Sequence, residues 1–272
     1  MKKLLGVLGV TALCAGLGSA VPAPAEATPA NATASVLTGS SASPSSAVAA
    51  QAAPRHRFTM LDPFARETVH RGMSDQGVHK IAHVRELQYR LRWVGVFHVD
   101  VTGTFGDITK AAVKRYQKRE GLQVSGVATH ATWAHLLRDT IRHASRIPKV
   151  CRHKGWHICY DRSMHQVVLL HNGEFRNTWL VRGGASDTPT RLGTHRVYYR
   201  DIDHKSQTFN GSPMPYSQFF DGGEALHGSG FMTDPFVDHS HGCINMYIED
   251  ARLLWRMTHD KRLIVTVYGA WD

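Results

Sequence analysis

The sequence of 272 residues contains only four cysteines and has no second long hydrophobic stretch after its first 20 positions. A membrane-spanning helix needs about 20 consecutive apolar residues, and the first stretch is short and rich in glycine, so we do not expect an integral membrane protein. Zinc-finger spacing and RNP-like motifs are also missing, which argues against a nucleic-acid-binding protein. Acidic residues are few, 22 against 32 lysines and arginines, and the net charge of +10 favours an anionic partner.

The first quarter of the chain is predicted to precede the folded domains. Residues 1–27 carry Lys2 and Lys3, the apolar stretch and then small residues in an A-x-A pattern, as an export signal does. Residues 28–75 begin with a run of Ala, Ser, Thr and Pro that has too few large apolar groups to form a core, which predicts a flexible linker. We therefore expect a secreted protein, for which an anionic cell wall or membrane surface fits better than nucleic acid.

Residues 76–145 show helical periodicity. Apolar residues recur at the spacing of one helix face near 84–94, 109–120 and 129–142, with Thr109 as the expected cap of the second segment. Glycines mark the turns between the segments. The pattern predicts a small three-helix bundle.

Residues 150–270 are rich in β-forming residues. The stretch QVVLLHNGEFRNTWLV contains two such runs joined by Asn172-Gly173, a strong hairpin signal. Further strands are predicted at 193–200, 224–227, 244–246 and 263–268, and one helix near 248–257. Residues 201–223 are interpreted as a long, lid-like loop. The predicted fold class is α+β and multidomain, a three-helix bundle followed by a mostly-β domain of sandwich or barrel type.

Three cysteines remain once the export signal with Cys14 is set aside. Thiols outside the cytoplasm tend to be oxidised. Cys151 and Cys159 are eight positions apart and are candidates for a disulfide, which would leave Cys243 as the odd thiol. The alternative is that all three are reduced and structural.

Cys243 lies in the stretch DHSHGCINMYIED, residues 238–250. Thiolate is the reactive form of cysteine, and a neighbouring imidazole can lower the thiol pKa or take its proton. His241, two residues earlier, and His227 are the candidates for that imidazole. Gly242 lets a substrate approach the backbone closely, and the amides of this turn are candidate donors to an oxyanion.

Two alternatives compete with the nucleophile hypothesis. His239, His241 and Cys243 alternate along the chain, so in an extended segment they face one way, and with His227 they form a possible zinc site. The other alternative is that these residues are buried and structural. We favour the nucleophile, and we expect neither a metal nor another cofactor.

Five stretches of the helical segment follow one another at a characteristic spacing. They are LQYRL (87–91), GTFGDIT (103–109), AAVKRYQ (111–117), GLQVSG (121–126) and TWAHL (132–136). In order and spacing they resemble the three-helix peptidoglycan-binding domain found beside many cell-wall enzymes. Most of these residues are core or turn positions, so they support the fold more than the ligand. The resemblance implies peptidoglycan as a partner.

The second half contains HGSGFMTDPFVDHSHGCIN (227–245), in which a histidine precedes Ser-His-Gly-Cys by about a dozen residues. Upstream, VRGGASDTPTRLGTHRV (181–197) has a glycine-rich strand and a Pro-Thr-x-x-Gly turn. Over residues 155–268 the chain resembles the catalytic domain of the L,D-transpeptidases. The resemblance implies a cell-wall enzyme with a part in cell-wall biogenesis and cell shape.

The resemblance also implies the chemistry. Cys243 would attack the carbonyl of the third residue of a stem peptide, release D-alanine and form a thioester, which the side-chain amine of a second stem would resolve. His227 would be the base, with its ring oriented by the carbonyl of Gly228. The amides of His241, Gly242 and Cys243 would form the oxyanion hole. No cofactor is required, and carbapenem β-lactams are the expected covalent inhibitors.

Other site predictions are substrate contacts. The residues concerned are Ser240 and Asn245 in support of the site, Tyr216 and Met214 in the lid-like loop, and Phe231 on the acceptor side. Arg182 or Arg191 is a candidate partner for a stem carboxylate, with a solvated surface charge as the alternative for each. The alternative functions are an L,D-carboxypeptidase, in which water replaces the amine, a zinc peptidase, and a wall-binding protein without activity.

Overall fold

The structure is a computed structural model that describes residues 66–77 and 81–271. The predicted export signal at 1–27 and the first part of the predicted linker lie outside the described residues. No helix in the described part of the chain is long and apolar enough to cross a membrane.

The predicted linker is wrong over its last ten residues, which pack on the helices. Val69 is fully buried and exchanges backbone hydrogen bonds of 3.1 and 2.8 Å with Ala128. The Asp75 carboxylate accepts hydrogen bonds from three amides at the start of the first helix, those of Ala82, Val84 and Arg85. Because a carboxylate satisfies the unpaired amides of a helix N-terminus, this segment belongs to the helical domain.

Three helices form this domain, α1 at Val84–Trp93, α2 at Asp107–Arg119 and α3 at His130–Asp139. Each buries one apolar face in a shared core, which includes Leu87, Leu91, Phe97, Val113, Tyr116, Trp133 and Leu136. The predicted bundle is confirmed. The cap assigned to Thr109 is wrong, because α2 begins two residues earlier and the buried Thr109 hydroxyl instead accepts a hydrogen bond of 3.0 Å from Gln88.

Nine strands and one helix form the second domain. The strands are β1 (Trp156–Asp161), β2 (Gln166–His171), β3 (Glu174–Leu180), β4 (Gly193–Arg196), β5 (Tyr199–Lys205), β6 (Pro213–Asp221), β7 (Glu224–Gly228), β8 (Ile244–Met246) and β9 (Leu263–Tyr268). Helix α4 (Ile248–Thr258) connects β8 to β9. One sheet has the order β3-β2-β1-β9-β4 and the other β5-β6-β7-β8. The two-domain α+β class is confirmed.

The two sheets and α4 bury a common core. Side chains from both sheets meet there, among them Ile158, Leu169, Trp179, Phe220, Leu226, Ile244 and Val265, and Leu254 of α4 joins them. Two sheets that pack face to face through these apolar side chains form a β-sandwich. The core fixes β7 and β8 against each other, and these strands carry the site described below.

The strand predictions were right where the signal is local. The hairpin at Asn172-Gly173 joins β2 to β3, and the strands at 244–246 and 263–268 lie where they were predicted. The single strand predicted at 193–200 is divided into β4 and β5. The lid-like loop predicted at 201–223 is wrong, because most of it forms the antiparallel pair β5 and β6. Strand β1 was not predicted.

Cys151 and Cys159 form a disulfide with a Cα separation of 6.2 Å. Both cysteines are buried with Val168 and Leu170 in a small cluster separate from the main core. The neighbouring side chain of Ile158 points into the main core instead. Since side chains alternate along a strand, the disulfide lies on the other face of the first sheet, and Cys243 remains free.

A buried charged cluster joins the two domains. Glu86 of α1 contacts Arg66 at 3.1 Å and Arg90 at 2.8 Å, and both arginines also donate to the carbonyl of Thr178 in β3. Each of these side chains is fully buried. Breaking a buried pair leaves an uncompensated charge, so this cluster fixes the helical domain against the sheet.

Candidate active site

A cavity of about 570 Å³ lies beside β6, β7 and β8. Its walls come from the segment after β3, the β5–β6 hairpin and the loop between β7 and β8. The lining side chains include Arg182, Tyr198, His204, Phe209, Met214, Phe219, His227, Phe231, His241, Cys243 and Asn245. The cavity therefore contains the thiol and the histidine that the sequence singled out.

Sheet register brings His227 and Cys243 to the same face. Strands β7 and β8 are parallel, with His227 opposite Asn245. Paired residues of neighbouring strands share a face, and so do residues two apart along an extended chain. Cys243 immediately precedes β8, two residues before Asn245, and its thiol lines the same cavity as the His227 imidazole.

The backbone fixes the orientation of the His227 ring. Its Nδ1 lies 2.8 Å from the carbonyl oxygen of Gly228, which can only accept a hydrogen bond. The proton is therefore on Nδ1, and the lone pair of Nε2 is available to accept another. Burial, helped by electrostatic repulsion from His204 and Arg182, lowers the pKa of His227 to about 4. The ring is neutral at neutral pH and has the form of a base.

The Cys243 thiol is also neutral. Burial raises the pKa of the half-buried thiol above its ordinary value, and the carboxylate of Glu224 acts in the same direction. The backbone amide of Ala225 opposes both effects. Thiol and imidazole thus rest as an uncharged pair, and the sulfur becomes nucleophilic as its proton is removed.

Ser240 stabilises the turn before Cys243 by two hydrogen bonds. Its hydroxyl donates to the carbonyl of Cys243 at 2.6 Å and accepts from the amide of Gly242 at 3.1 Å. The Gly242 amide, predicted as an oxyanion donor, is therefore already engaged. Gly242 has a φ of +118°, which side chains rarely adopt, and a Cβ there would lie 3.0 Å from Glu224.

The segment after β3 runs along this turn. Arg182 and Asn245 exchange backbone hydrogen bonds of 2.9 and 2.8 Å, and the Ser240 amide donates to Gly183 at 2.8 Å. A Cβ on Gly184 would lie 2.0 Å from the carbonyl oxygen of Thr188. Only glycine allows this approach, which accounts for the glycine-rich stretch seen in the sequence.

The structure brings some of the predicted substrate residues to the cavity and leaves others out. Met214 and Phe231 line it. Tyr216 does not, because its ring packs on the main core beside Trp255, with a centroid distance of 6.3 Å. Arg191 is paired with Asp221 at 3.1 Å.

Arg182 is the other arginine that the sequence singled out. It is 6% exposed and lines the cavity, so the surface-charge alternative is wrong for this residue.

The zinc alternative is not supported by the arrangement of the side chains. His239 lies against Trp271, with a centroid distance of 5.4 Å, whereas His241 lies against Phe209 at 4.6 Å. These histidines diverge although they alternate along the chain. Among the described residues, the group spaced closely enough to share an ion is a different one, formed by His83, Glu86 and Asp250 of the buried cluster between the domains.

Aromatic residues of the β5–β6 region were not predicted as part of the site. Tyr198, Phe209 and Phe219 line the cavity, and His204 lies against Phe219 with a centroid distance of 4.9 Å. The density of aromatic residues between 198 and 220 was the available signal. It was missed because the segment was interpreted as an irregular loop.

Comparison with known families gives two matches. Residues 82–136 match the peptidoglycan binding domain, and residues 155–267 match the L,D-transpeptidase catalytic domain. The matches fall on the helical domain and on the sandwich. No curated protein matches the chain.

Solved structures of L,D-transpeptidases are similar to the chain. The one from Stackebrandtia nassauensis is 25% identical, with 69% of this chain and 91% of that chain covered and a TM-score of 0.47. The one from Xylanimonas cellulosilytica is 24% identical, with 75% of this chain and 98% of that chain covered and a TM-score of 0.43. Both TM-scores are below 0.5, so the likeness rests on the two domain matches. They identify a peptidoglycan binding domain at 82–136 followed by an L,D-transpeptidase catalytic domain at 155–267.

Proposed function

We propose that the protein is a cysteine acyltransferase that links the third-position diamino acids of two peptidoglycan stem peptides. The observation that carries this proposal is that His227 of β7 and Cys243, which immediately precedes the neighbouring strand β8, line one cavity, with the imidazole proton held on Nδ1. A base must present its lone pair to the proton that it removes. Here that lone pair is on Nε2, because the proton is on Nδ1.

The first half-reaction forms an acyl-enzyme. Nε2 of His227 takes the thiol proton, and the sulfur of Cys243 attacks the carbonyl carbon between the third residue and the terminal D-alanine. The C–N bond of the tetrahedral intermediate breaks, and the imidazolium returns the proton to the departing amine. The products are D-alanine and a thioester on Cys243, with no change of oxidation state.

The second half-reaction resolves the thioester. The side-chain amine of another stem loses a proton to His227 and attacks the thioester carbonyl, and the thiol leaves as the new amide forms. The thioester conserves the free energy of the broken amide, so no ATP is needed. If water attacks instead, the enzyme is an L,D-carboxypeptidase.

The turn before β8 supplies the electrostatic support for the intermediate. Since the Gly242 amide is engaged with Ser240, we assign the oxyanion role to the amides of His241 and Cys243. Backbone donors fixed in a water-poor site stabilise developing negative charge without rearranging. Asn245, opposite His227, positions the ring and the substrate.

Both domains act on the same polymer, so the site of action is the cell wall outside the cytoplasm. The helical domain would hold the glycan or stem, and the excess of positive charge would favour an anionic wall. Carbapenems would acylate the same thiol, because their strained lactam carbonyl replaces the peptide carbonyl in the attack.

The test is a product analysis with disaccharide-tetrapeptide as both donor and acceptor. We expect D-alanine release and a cross-linked dimer, both lost in Cys243→Ala and on thiol alkylation, and both insensitive to chelators. D-alanine or tripeptide without dimer would identify the carboxypeptidase. Chelator sensitivity with resistance to alkylation would identify a zinc peptidase, and no product at all would leave a wall-binding protein.

A further inference from the structure

Arg182 is a buried cation in the wall of the active-site cavity. Its Nη1 donates to the carbonyls of Phe231 and Val237 at 3.4 Å each, long distances for such bonds. Its Nε is buried and has no hydrogen-bond partner among the described residues. An arginine stays charged in proteins, and burying a charge without a direct counter-ion is costly.

The positive charge of Arg182 is only partly neutralised by its neighbours. Asp238 is the carboxylate that acts on Arg182, but it is exposed, and no direct ion pair joins the two residues among those described. The other candidate arginine, Arg191, differs in this respect, since it contacts both Asp221 at 3.1 Å and Glu224 at 3.5 Å. Arg182 can therefore bind an anion inside the cavity.

Sheet register places Arg182 beside the residues that carry the reacting atoms. Arg182 forms an antiparallel bridge with Asn245, and Asn245 is opposite His227 in the parallel pair. Bridged residues project to the same face, about 5 Å apart at Cβ. Arg182, Asn245 and His227 thus form a row, and Cys243 lies on the same face two residues along the chain from the middle member.

We propose that Arg182 binds the terminal carboxylate of the residue that leaves in the first half-reaction. It thereby restricts the donor to stem peptides whose last residue is that leaving residue. The inference rests on the proposed acyl transfer. The leaving D-alanine carries its carboxylate one carbon away from the nitrogen of the scissile bond, so a cation that lines the same cavity as the base and the thiol is suitably placed. A planar guanidinium binds a carboxylate through paired, charge-assisted hydrogen bonds.

The test compares two tetrapeptide donors that differ only in the C-terminal group, a free carboxylate or a carboxamide. The rate of acylation is measured by D-alanine or D-alaninamide release and by intact mass. Loss of one charged hydrogen-bonded contact corresponds to about 10- to 100-fold. We expect the wild type to prefer the acid donor by that factor, and Arg182→Gln to lose the preference while its rate with the amide donor changes less than about threefold.

Arg191→Gln is the matched control and keeps the preference of the wild type. Arg182→Lys retains part of it, because the charge remains but the paired geometry is lost. Iodoacetamide labelling of Cys243 in each variant verifies that the thiol is still accessible. A variant that slows both donors equally, or keeps the preference intact, would overturn the inference.

A second measurement needs no variant. Free D-alanine should protect Cys243 of the wild type from iodoacetamide at a concentration at least about tenfold lower than D-alaninamide does. Equal protection by the two compounds, or equal acylation by the two donors, refutes the carboxylate site and leaves the acyl transfer standing. No acylation by either donor refutes the proposed function itself.

Discussion

Tyr89 of the first helix donates its hydroxyl proton to Asp234, whose two carboxylate oxygens lie 3.0 and 2.9 Å away, in the loop that leads to Cys243. Arg85 donates to the same carboxylate at 3.1 Å. The ring of Phe236 packs against Tyr89 with a centroid distance of 4.6 Å. The helical domain thus contacts the loop between β7 and β8 directly, and that loop carries part of the cavity wall.

This contact predicts that Tyr89→Phe slows acylation by a carbapenem about tenfold, because the loop loses one charge-assisted hydrogen bond and misplacement of reacting groups costs rate. Tyr116→Phe is the control. Tyr116 makes an equivalent bond of 2.6 Å to Asp139 within the helical domain, so it should lower stability but leave acylation unchanged. Stopped-flow fluorescence measures the rate. Equal effects of the two variants on acylation would show that the contact is merely structural.

The pKa of His227 predicts a pH dependence of stability. In the folded state the pKa is about 4, lowered from 6.5 chiefly by burial, so the unfolded chain binds the proton more tightly. The contribution of this residue is fully present above pH 6.5 and is lost as the pH falls toward 4, about 3 kcal/mol in all. We expect His227→Gln to flatten the rise in unfolding free energy over this range.

Urea unfolding at half-unit steps of pH measures this slope. The exposed His259 is the control, and His259→Gln should leave the slope unchanged. Activity should stay level from pH 5 to 8 because the imidazole is already neutral there. An acidic limb with its midpoint near 6.5 would contradict a buried, neutral base.

The cluster around Glu86 predicts a large effect on stability. Burial opposes ionisation of Glu86, but Arg66 and Arg90 overcome it and lower the pKa to about 2. The contribution is therefore present above pH 4.5 and lost as the pH falls toward 2. Glu86→Gln leaves two buried arginines short of a counter-ion and should cost about 3 kcal/mol or more at pH 7.

Denaturant unfolding at pH 7 measures the change, with Asp107→Asn as the control. Asp107 pairs with Arg71 at the surface, where both side chains are more than half exposed, and exposed pairs contribute little. The midpoint of this control should stay close to that of the wild type. If Glu86→Gln also left the unfolding midpoint unchanged, the cluster would not hold the domains together.

Local signals determined how much of the fold could be predicted. Asn172-Gly173 specifies a tight turn by its own backbone preference, and the helical domain shows its periodicity within single segments. Strand β1 was missed although its antiparallel partner β2 follows it closely in the chain. Its parallel partner β9 lies more than 100 positions away, and no short-range pattern reports that contact.

Strands β5 and β6 were missed for another reason. Strand β5 is an edge strand with mostly polar, exposed residues, and β6 begins with Pro213 and Pro215. Proline argues against a central strand, but β7 pairs with β6 only from Gln218 onward. The prolines thus occupy the part of β6 that has one neighbour, and the segment was interpreted as a loop.

The site was partly predictable. The thiol and its histidine were found because an unpaired cysteine beside histidines is chemically distinctive. Arg182 was weighed only as a surface charge or a carboxylate partner, because its burial depends on the bridge to Asn245. Tyr216 was misassigned because its direction depends on the register of β6, which the sequence alone did not reveal.

In the proposed mechanism Sγ of Cys243 carries the acyl group. Intact mass spectrometry of the protein incubated with a tetrapeptide donor, followed by peptide mapping, tests it most directly. We expect an adduct with the mass of the donor less D-alanine, located on Cys243, absent from Cys243→Ala and much slower to form in His227→Gln. An adduct on another residue, or one that persists in Cys243→Ala, would contradict it.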